Sequence, residues 1–148
     1  MTTPQQEIPL PLPTPNPTTQ PFWDGTKQRK LLLQRDRKTG KAFFYPRALA
    51  PETLSDDIEW FQASGRGTVY SYTVDRRGTA PAFMSKAPYV IAIVELEEGP
   101  HMTTNIVDCP NEDVHIGMPV EAVYEDVTEE ITLVKFRRRD SSTGRPVA

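Results

Sequence analysis

Five features of this sequence are chemically suggestive: two histidines, one cysteine and two acidic pairs. His101 follows a turn-forming Gly99-Pro100, and His115 stands in a loop. Neither lies at the spacing that a nucleophile–base pair or a metal cluster requires, so a surface or capping role suits both. Cys109 precedes Pro110 in a loop, where an inert thiol is expected rather than an activated thiolate. Glu97-Glu98 and Glu129-Glu130 fall in turns, as solvated charge does. No glycine-rich phosphate loop of either usual pattern is present. No catalytic residue is therefore expected in this chain.

Binding chemistry is better represented. Arg66, Tyr70, Arg76, Arg77 and Phe83 bracket one β-rich stretch and the connection after it, and they are the candidate ligand-binding residues. Tyr70 and Tyr72 alternate, so in a regular strand they share a face, either filling a core or stacking on a ligand. Phe22 and Trp23 are candidate partner contacts, or core anchors, at the start of a short helix. Charge is unevenly spread around the formal net of −3. Lys27–Arg47 carries eight basic residues against one acid, whereas Ala48–Val134 carries four against sixteen. Nucleic-acid binders place basic residues on the binding surface. Here the β-rich part is acidic, which argues against nucleic acid.

The elements that must hold these residues can be read in order. Residues 1–17 contain six of the fifteen prolines and form an extended arm, either loose or docked on a partner. A helix begins near Thr18-Thr19, with Pro21 in its first turn and Gly25 weakening it by about 1 kcal/mol. Leu31–Arg35 and Ala42–Tyr45 flank Asp36–Lys41 as a hairpin, with Gly40 placed for positive φ. Ile58–Ala63 is a further strand. Gly65 and Gly67 permit a bulge or corner before the first of five strands, Thr68–Asp75. The others are Tyr89–Leu96, Met102–Val107, Val120–Glu125 and Ile131–Arg137. Tyr89–Leu96 is nearly unbroken apolar and is expected to be buried on both faces. Five short strands with an irregular insert before the fourth predict an OB-type barrel rather than a sandwich. The domain reading is an arm at 1–17, a helix and knuckle at 18–64, a barrel at 65–140 and a flexible tail at 141–148.

Among 148 residues, 37% are hydrophobic and 25% charged, sufficient for one modest core. No apolar run approaches the roughly 20 residues of a membrane span, no secretory signal is visible, and one cysteine excludes an intrachain disulfide framework. A cytoplasmic location is expected.

The order of blocks then resembles a known family. Pro21-Phe22-Trp23-Asp24-Gly25, the leucine-rich Leu31–Gly40, Tyr45-Pro46-Arg47, Ser64–Val74, Ala87–Pro100, Thr104–Val107 and Ile116–Phe136 together look like the zinc-ribbon/OB-fold proteins associated with thiolases. The resemblance covers roughly Gln20–Phe136. It implies a mainly β fold: a five-stranded OB barrel preceded by a helix and a rubredoxin-like knuckle. It also implies a small accessory or scaffold subunit, not an enzyme by itself, bound to a thiolase-like or acyl-CoA hydratase-like protein.

One departure is sharp. Such proteins carry a Cys-x-x-Cys pair after the leucine-rich strand and a second after the Tyr-Pro-Arg element. The corresponding positions here are Asp36, Thr39, Ala50 and Thr53, none of them a thiolate, so no zinc is expected. Packing by Phe43, Phe44, Tyr45, Leu49 and Leu54 is expected to replace the metal. No tightly bound cofactor is expected, although an acyl-CoA shared with the partner would meet basic residues of Lys27–Arg47, if these are not simply a solvated hairpin. A homo-oligomer is compatible with this reading. The alternative function is single-stranded nucleic-acid binding on the OB face.

Overall fold

The computed structural model describes residues 9–140. The beginning of the expected arm (1–8) and the expected tail (141–148) lie outside the described residues. The chain runs α1 (Gln20–Lys27), β1 (Leu32–Asp36), β2 (Ala42–Phe43), β3 (Ile58–Gln62), β4 (Arg66–Asp75), α2 (Pro81–Met84), β5 (Tyr89–Leu96), β6 (His101–Val107), a 3-10 turn (Asn111–Asp113), β7 (Pro119–Asp126) and β8 (Thr132–Arg138).

Helix α1 starts from a reciprocal turn. The Asn16 N–H donates to Thr19 Oγ1, and the Thr19 N–H donates to Asn16 Oδ1, both at 3.0 Å. Phe22, Trp23, Gly25 and Thr26 are buried. Gly25 costs helix propensity but gains close packing: a Cβ there would stand 2.7 Å from Leu32 Cγ. Next, β1 takes the centre of a three-stranded antiparallel sheet ordered β2-β1-β3, with Gln34 opposite Phe43 on one side and Trp60 on the other. Gly40 has φ +73° at the hairpin turn, as its position predicts. Strand β3 does not continue into the barrel but pairs back onto β1.

The remaining strands close a barrel in the order β4-β5-β6-β8-β7. Strands β6 and β8 run parallel; the other pairings are antiparallel. This is the OB arrangement, with the 3-10 turn forming the insert before the fourth strand. Strand β5 is not buried on both faces as expected. Val90, Ala92, Val94 and Leu96 point into the core while Ile91 and Ile93 are half-buried, so the apolar run conceals an ordinary period of two. The bulge also differs from expectation. Gly65 has φ +79°, but the register shift lies at Tyr70, between the pairs Val69–Val94 and Ser71–Ile93. Gly67 serves close approach instead: a Cβ there would come within 2.5 Å of the Glu95 carbonyl oxygen.

One apolar core crosses the boundary between sheet and barrel. Phe22, Trp23, Leu31, Leu33 and Ala63 belong to the same cluster as Val69, Val94, Met102, Val120 and Phe136. On the surface above it, Arg29 reaches Asp126 with two hydrogen bonds, at 2.8 and 2.6 Å. That forked pair, joined by the Thr132 hydroxyl, holds the Asp126 carboxyl far below the usual range. Both side chains are about half exposed, so the pair fixes orientation more than it adds stability.

Gly67→Ala is expected to lower stability by about 2 kcal/mol, because a backbone oxygen on β5 cannot yield as a side chain could. Urea denaturation followed by tryptophan fluorescence measures it, and an unchanged midpoint would remove the close-approach account.

Candidate functional site

The knuckle is built around a carboxylate. Asp36 ends β1, is buried, and accepts a hydrogen bond from the Thr53 hydroxyl at 2.6 Å and one from the Lys38 N–H at 2.9 Å. These bonds, Thr53 first, hold its pKa below the usual 3.8. Thr53 Oγ1 in turn accepts the Ser55 N–H at 3.2 Å. The Leu54 N–H donates to the Ala50 carbonyl and the Ala50 N–H to the Ser55 carbonyl, both at 2.9 Å, closing the loop 50–55. Asp36, Thr39 and Ala50 line one small depression. The four knuckle positions therefore converge, joined by a carboxylate–hydroxyl bond. The expected replacement by packing is only partly found: Phe43 and Phe44 are half-buried, whereas Tyr45, Leu49 and Leu54 are exposed.

A larger concavity, of about 500 Å³, lies between the knuckle and the barrel. Phe22, Trp23, Phe44, Met102, Leu133 and Val134 supply apolar wall, and Tyr45, Arg47, His101 and Thr103 supply the polar rim. The wall is an aromatic cluster. Phe22 meets Trp23 edge-on with centroids 4.9 Å apart, and Phe44 meets Tyr45 edge-on at 5.3 Å. Arg47 is placed by its backbone, whose N–H donates to Gln34 Oε1 at 2.7 Å and whose carbonyl accepts from Gln34 Nε2 at 3.0 Å. Its guanidinium has no carboxylate partner among the described residues. Trp23 Nε1 is buried without a hydrogen-bond partner among them, an orphan that folded interiors seldom leave.

The residues expected from sequence to bind ligand do not form one site. Arg66 opens β4 and pairs with Glu97 at 3.2 Å. Arg76 and Arg77 follow the other end of β4, about 30 Å away along a ten-residue strand. There Asp75 accepts the N–H groups of Gly78 and Arg77 and the Tyr89 hydroxyl. Phe83, in α2, packs toward Tyr89 with centroids 6.0 Å apart. Only Tyr70 comes near the groove, its ring 4.4 Å from that of His101. Tyr70 is 53% exposed and Tyr72 is partly exposed too, so neither fills the core. Phe22 and Trp23, expected as partner contacts, are 2% and 8% exposed. They fasten α1 to the barrel and leave little surface at the groove they line. That Tyr45, Arg47, His101 and Thr103 share one groove is not an expectation of the sequence, because they come from two segments more than fifty residues apart. Half of the basic cluster is spent internally: Arg29, Arg35, Arg37 and Lys41 pair with Asp126, Glu59, Asp57 and Glu52.

The comparisons with known proteins fit this geometry. The model of the C-terminal OB-fold domain of ChsH2 matches residues 60–125, and that of the ChsH2 rubredoxin-like zinc ribbon domain matches residues 23–51. A DUF35 domain-containing scaffold protein of Methanocaldococcus jannaschii is 43% identical over 111 residues, which cover 73% of this chain and 77% of that protein. The chain belongs to the DUF35 family. A probable enoyl-CoA hydratase alpha subunit of Thermomonospora curvata is 38% identical over 117 residues, covering 78% of this DUF35 chain but 36% of the subunit. Among solved structures, a chain of the Ltp2-ChsH2(DUF35) aldolase superposes with a TM-score of 0.76 at 35% identity, covering 86% of this chain and 98% of that one.

The zinc of the ribbon does not fit this DUF35 member. Its four positions offer one carboxylate, two hydroxyls and a methyl group, and the carboxylate is already engaged. Among the described residues no three His, Cys, Asp or Glu side chains come together. Nor does a nucleophile emerge, since burial pushes the Cys109 thiol up rather than down.

Asp36→Asn and Thr53→Val are each expected to lower the melting temperature at pH 7, by an amount on the order of 5 °C, while EDTA leaves the wild type unchanged. Because the folded carboxyl titrates below 3.8, its contribution is complete above the unfolded value and is lost as the pH falls through the folded one. The gap between wild type and Asp36→Asn should therefore close below about pH 4. Melting curves across pH 3–7 check both halves.

Proposed function

We propose that this chain is a non-catalytic accessory subunit that binds a thiolase-like acyl-CoA enzyme and helps enclose the acyl-CoA. The observation that carries it is the match to nearly the full length of a chain from an aldolase named as an Ltp2–ChsH2(DUF35) assembly. The hydratase alpha subunit named above supports the same substrate class from a second direction. The chain spans about a third of that subunit, so the subunit's own activity is not carried over with the shared part.

The groove supports the acyl-CoA part of the proposal. Its apolar wall suits the thioester-bearing arm, and the unpaired Arg47 on its rim suits a phosphate. Tyr70, through His101, extends the rim. Arg76 and Arg77, whose guanidinium groups lack a carboxylate partner among the described residues, stand as a separate basic edge beside Phe83, while Arg66 is committed to Glu97. Zinc is not part of the proposal.

Affinity purification of the chain from its native cells at physiological salt tests the reading. A thiolase-like or hydratase-like enzyme should co-purify in stoichiometric amount, and its turnover of acyl-CoA should fall when the subunit is removed. Recovery of no such enzyme, together with tight, salt-sensitive oligonucleotide binding, would overturn it in favour of a nucleic-acid role.

A further inference from the structure

Ahead of α1, prolines stand at every second position: Pro9, Pro11, Pro13, Pro15 and Pro17. A proline ring fixes its own φ, and it also pushes the residue before it out of the helical region toward extended backbone. Every residue from Pro9 to Pro17 is therefore held by its own ring or by its neighbour's. The backbone that satisfies both restrictions is polyproline II, with three residues per turn and a rise of about 3.1 Å per residue.

Exposure along the arm has that period of three. Leu10 and Pro13 are half-buried, whereas Pro11 and Thr14 are exposed, and so are Pro9 and Leu12. A strand would place Leu10 and Leu12 on the same side, yet Leu12 is 42% exposed while Leu10 is turned toward the fold. The arm is thus a rod that lies on the protein by one edge and shows two edges to the outside. Its lower end is fixed: Pro15 is half-buried, and the paired bonds between Asn16 and Thr19 tie the rod to the start of α1. No charged side chain occurs between Glu7 and Asp24. The two matched domains begin at residues 23 and 60, so the rod belongs to neither the ribbon nor the barrel.

Such a rod has little conformational freedom left to lose on binding. It lacks an N–H at alternate residues, and it offers proline rings and backbone carbonyls instead, the groups that grooves lined by aromatic side chains clasp and hydrogen-bond. Its base lies three residues before Phe22, which with Trp23 lines the groove between knuckle and barrel. An enzyme sharing an acyl-CoA at that groove is within reach of a rod about 28 Å long. We infer that Pro9–Thr14 is a polyproline II ligand for an aromatic-lined groove on the partner enzyme, read through its two exposed edges, Pro9 with Leu12 and Pro11 with Thr14. This rests on the accessory-subunit reading, and it adds how and where the partner holds the chain.

The enzyme recovered by co-purification is expressed, purified and titrated with the full chain by biolayer interferometry. Pro9→Gly combined with Pro11→Gly loosens the rod and removes two exposed rings, and Leu12→Asp puts a charge on an exposed edge. Both variants should melt with the wild type, because these side chains face outward, while affinity for the enzyme falls about tenfold. The ratio between wild type and the glycine variant should be the same at low and high salt, since no charge is involved. Binding by both variants within about twofold of wild type would overturn the inference and leave the accessory role standing. Lowered melting temperatures in both would overturn it in favour of a strap that serves the chain's own fold. Slowed amide exchange at Leu10, Leu12 and Thr14 on binding, followed by NMR, would overturn it in favour of a strand added to a sheet edge. Failure of the wild type to bind any acyl-CoA enzyme would remove the accessory reading itself.

Discussion

The structure depends on one continuous burial of apolar surface, from the knuckle side into the barrel. A helix and three short strands, without a metal, cannot bury enough surface to stand alone. They borrow a core: Phe22 and Trp23 from α1, and Leu31 and Leu33 in and beside β1, join the cluster that includes Val94, Met102 and Phe136. A metal-bound ribbon would bring its own folding energy, whereas here that contribution must come from the shared interior. This makes the orientation of knuckle against barrel a consequence of packing, with the Arg29–Asp126 pair setting the fit at the edge.

Much of this was legible because the barrel signals are local. The bounds of β5 match the reading from Tyr89 to Leu96, and the other four barrel strands fall within two residues of it. Gly40 took its positive φ because a hairpin turn demands one. What escaped the sequence was set by distance along the chain. Asp36 and Thr53 are seventeen residues apart, and no spacing rule connects a carboxylate to that hydroxyl, so sequence reasoning arrives at packing as the substitute for zinc. The groove was missed for the same reason, since Arg47 and His101 meet only once the sheet lies on the barrel. Burial sided with the core over the interface for Phe22 and Trp23, and the bulge at Tyr70 turned an expected alternation outward.

Charge shows how far composition can be pushed. The surplus of cations between Lys27 and Arg47 reads as a basic patch, yet the fold cancels about half of it with carboxylates from the β2–β3 connection, β3 and the barrel. Arg35 is bound twice, to Glu59 at 2.9 Å and over the Phe61 ring at 4.3 Å. The uncancelled remainder is small and local, which suits a directed contact better than the long basic track that nucleic acid requires. The acidic barrel points the same way.

The ionisable residues follow the same physical logic. Catalytic centres juxtapose titratable groups whose environments drive their pKa values in opposite directions toward neutrality. Here the shifted groups move away from it: Asp36, Asp75 and Asp126 are driven down by hydrogen bonds, first from Thr53, Gly78 and Arg29 respectively, while Cys109 and Tyr124 are driven up by burial. Each carboxylate is locked in its charged form as a structural acceptor, and each buried acid is locked in its neutral form. Such groups make good fasteners and poor proton carriers. The shifted carboxylates of this chain are thereby spent on holding turns and edges in shape.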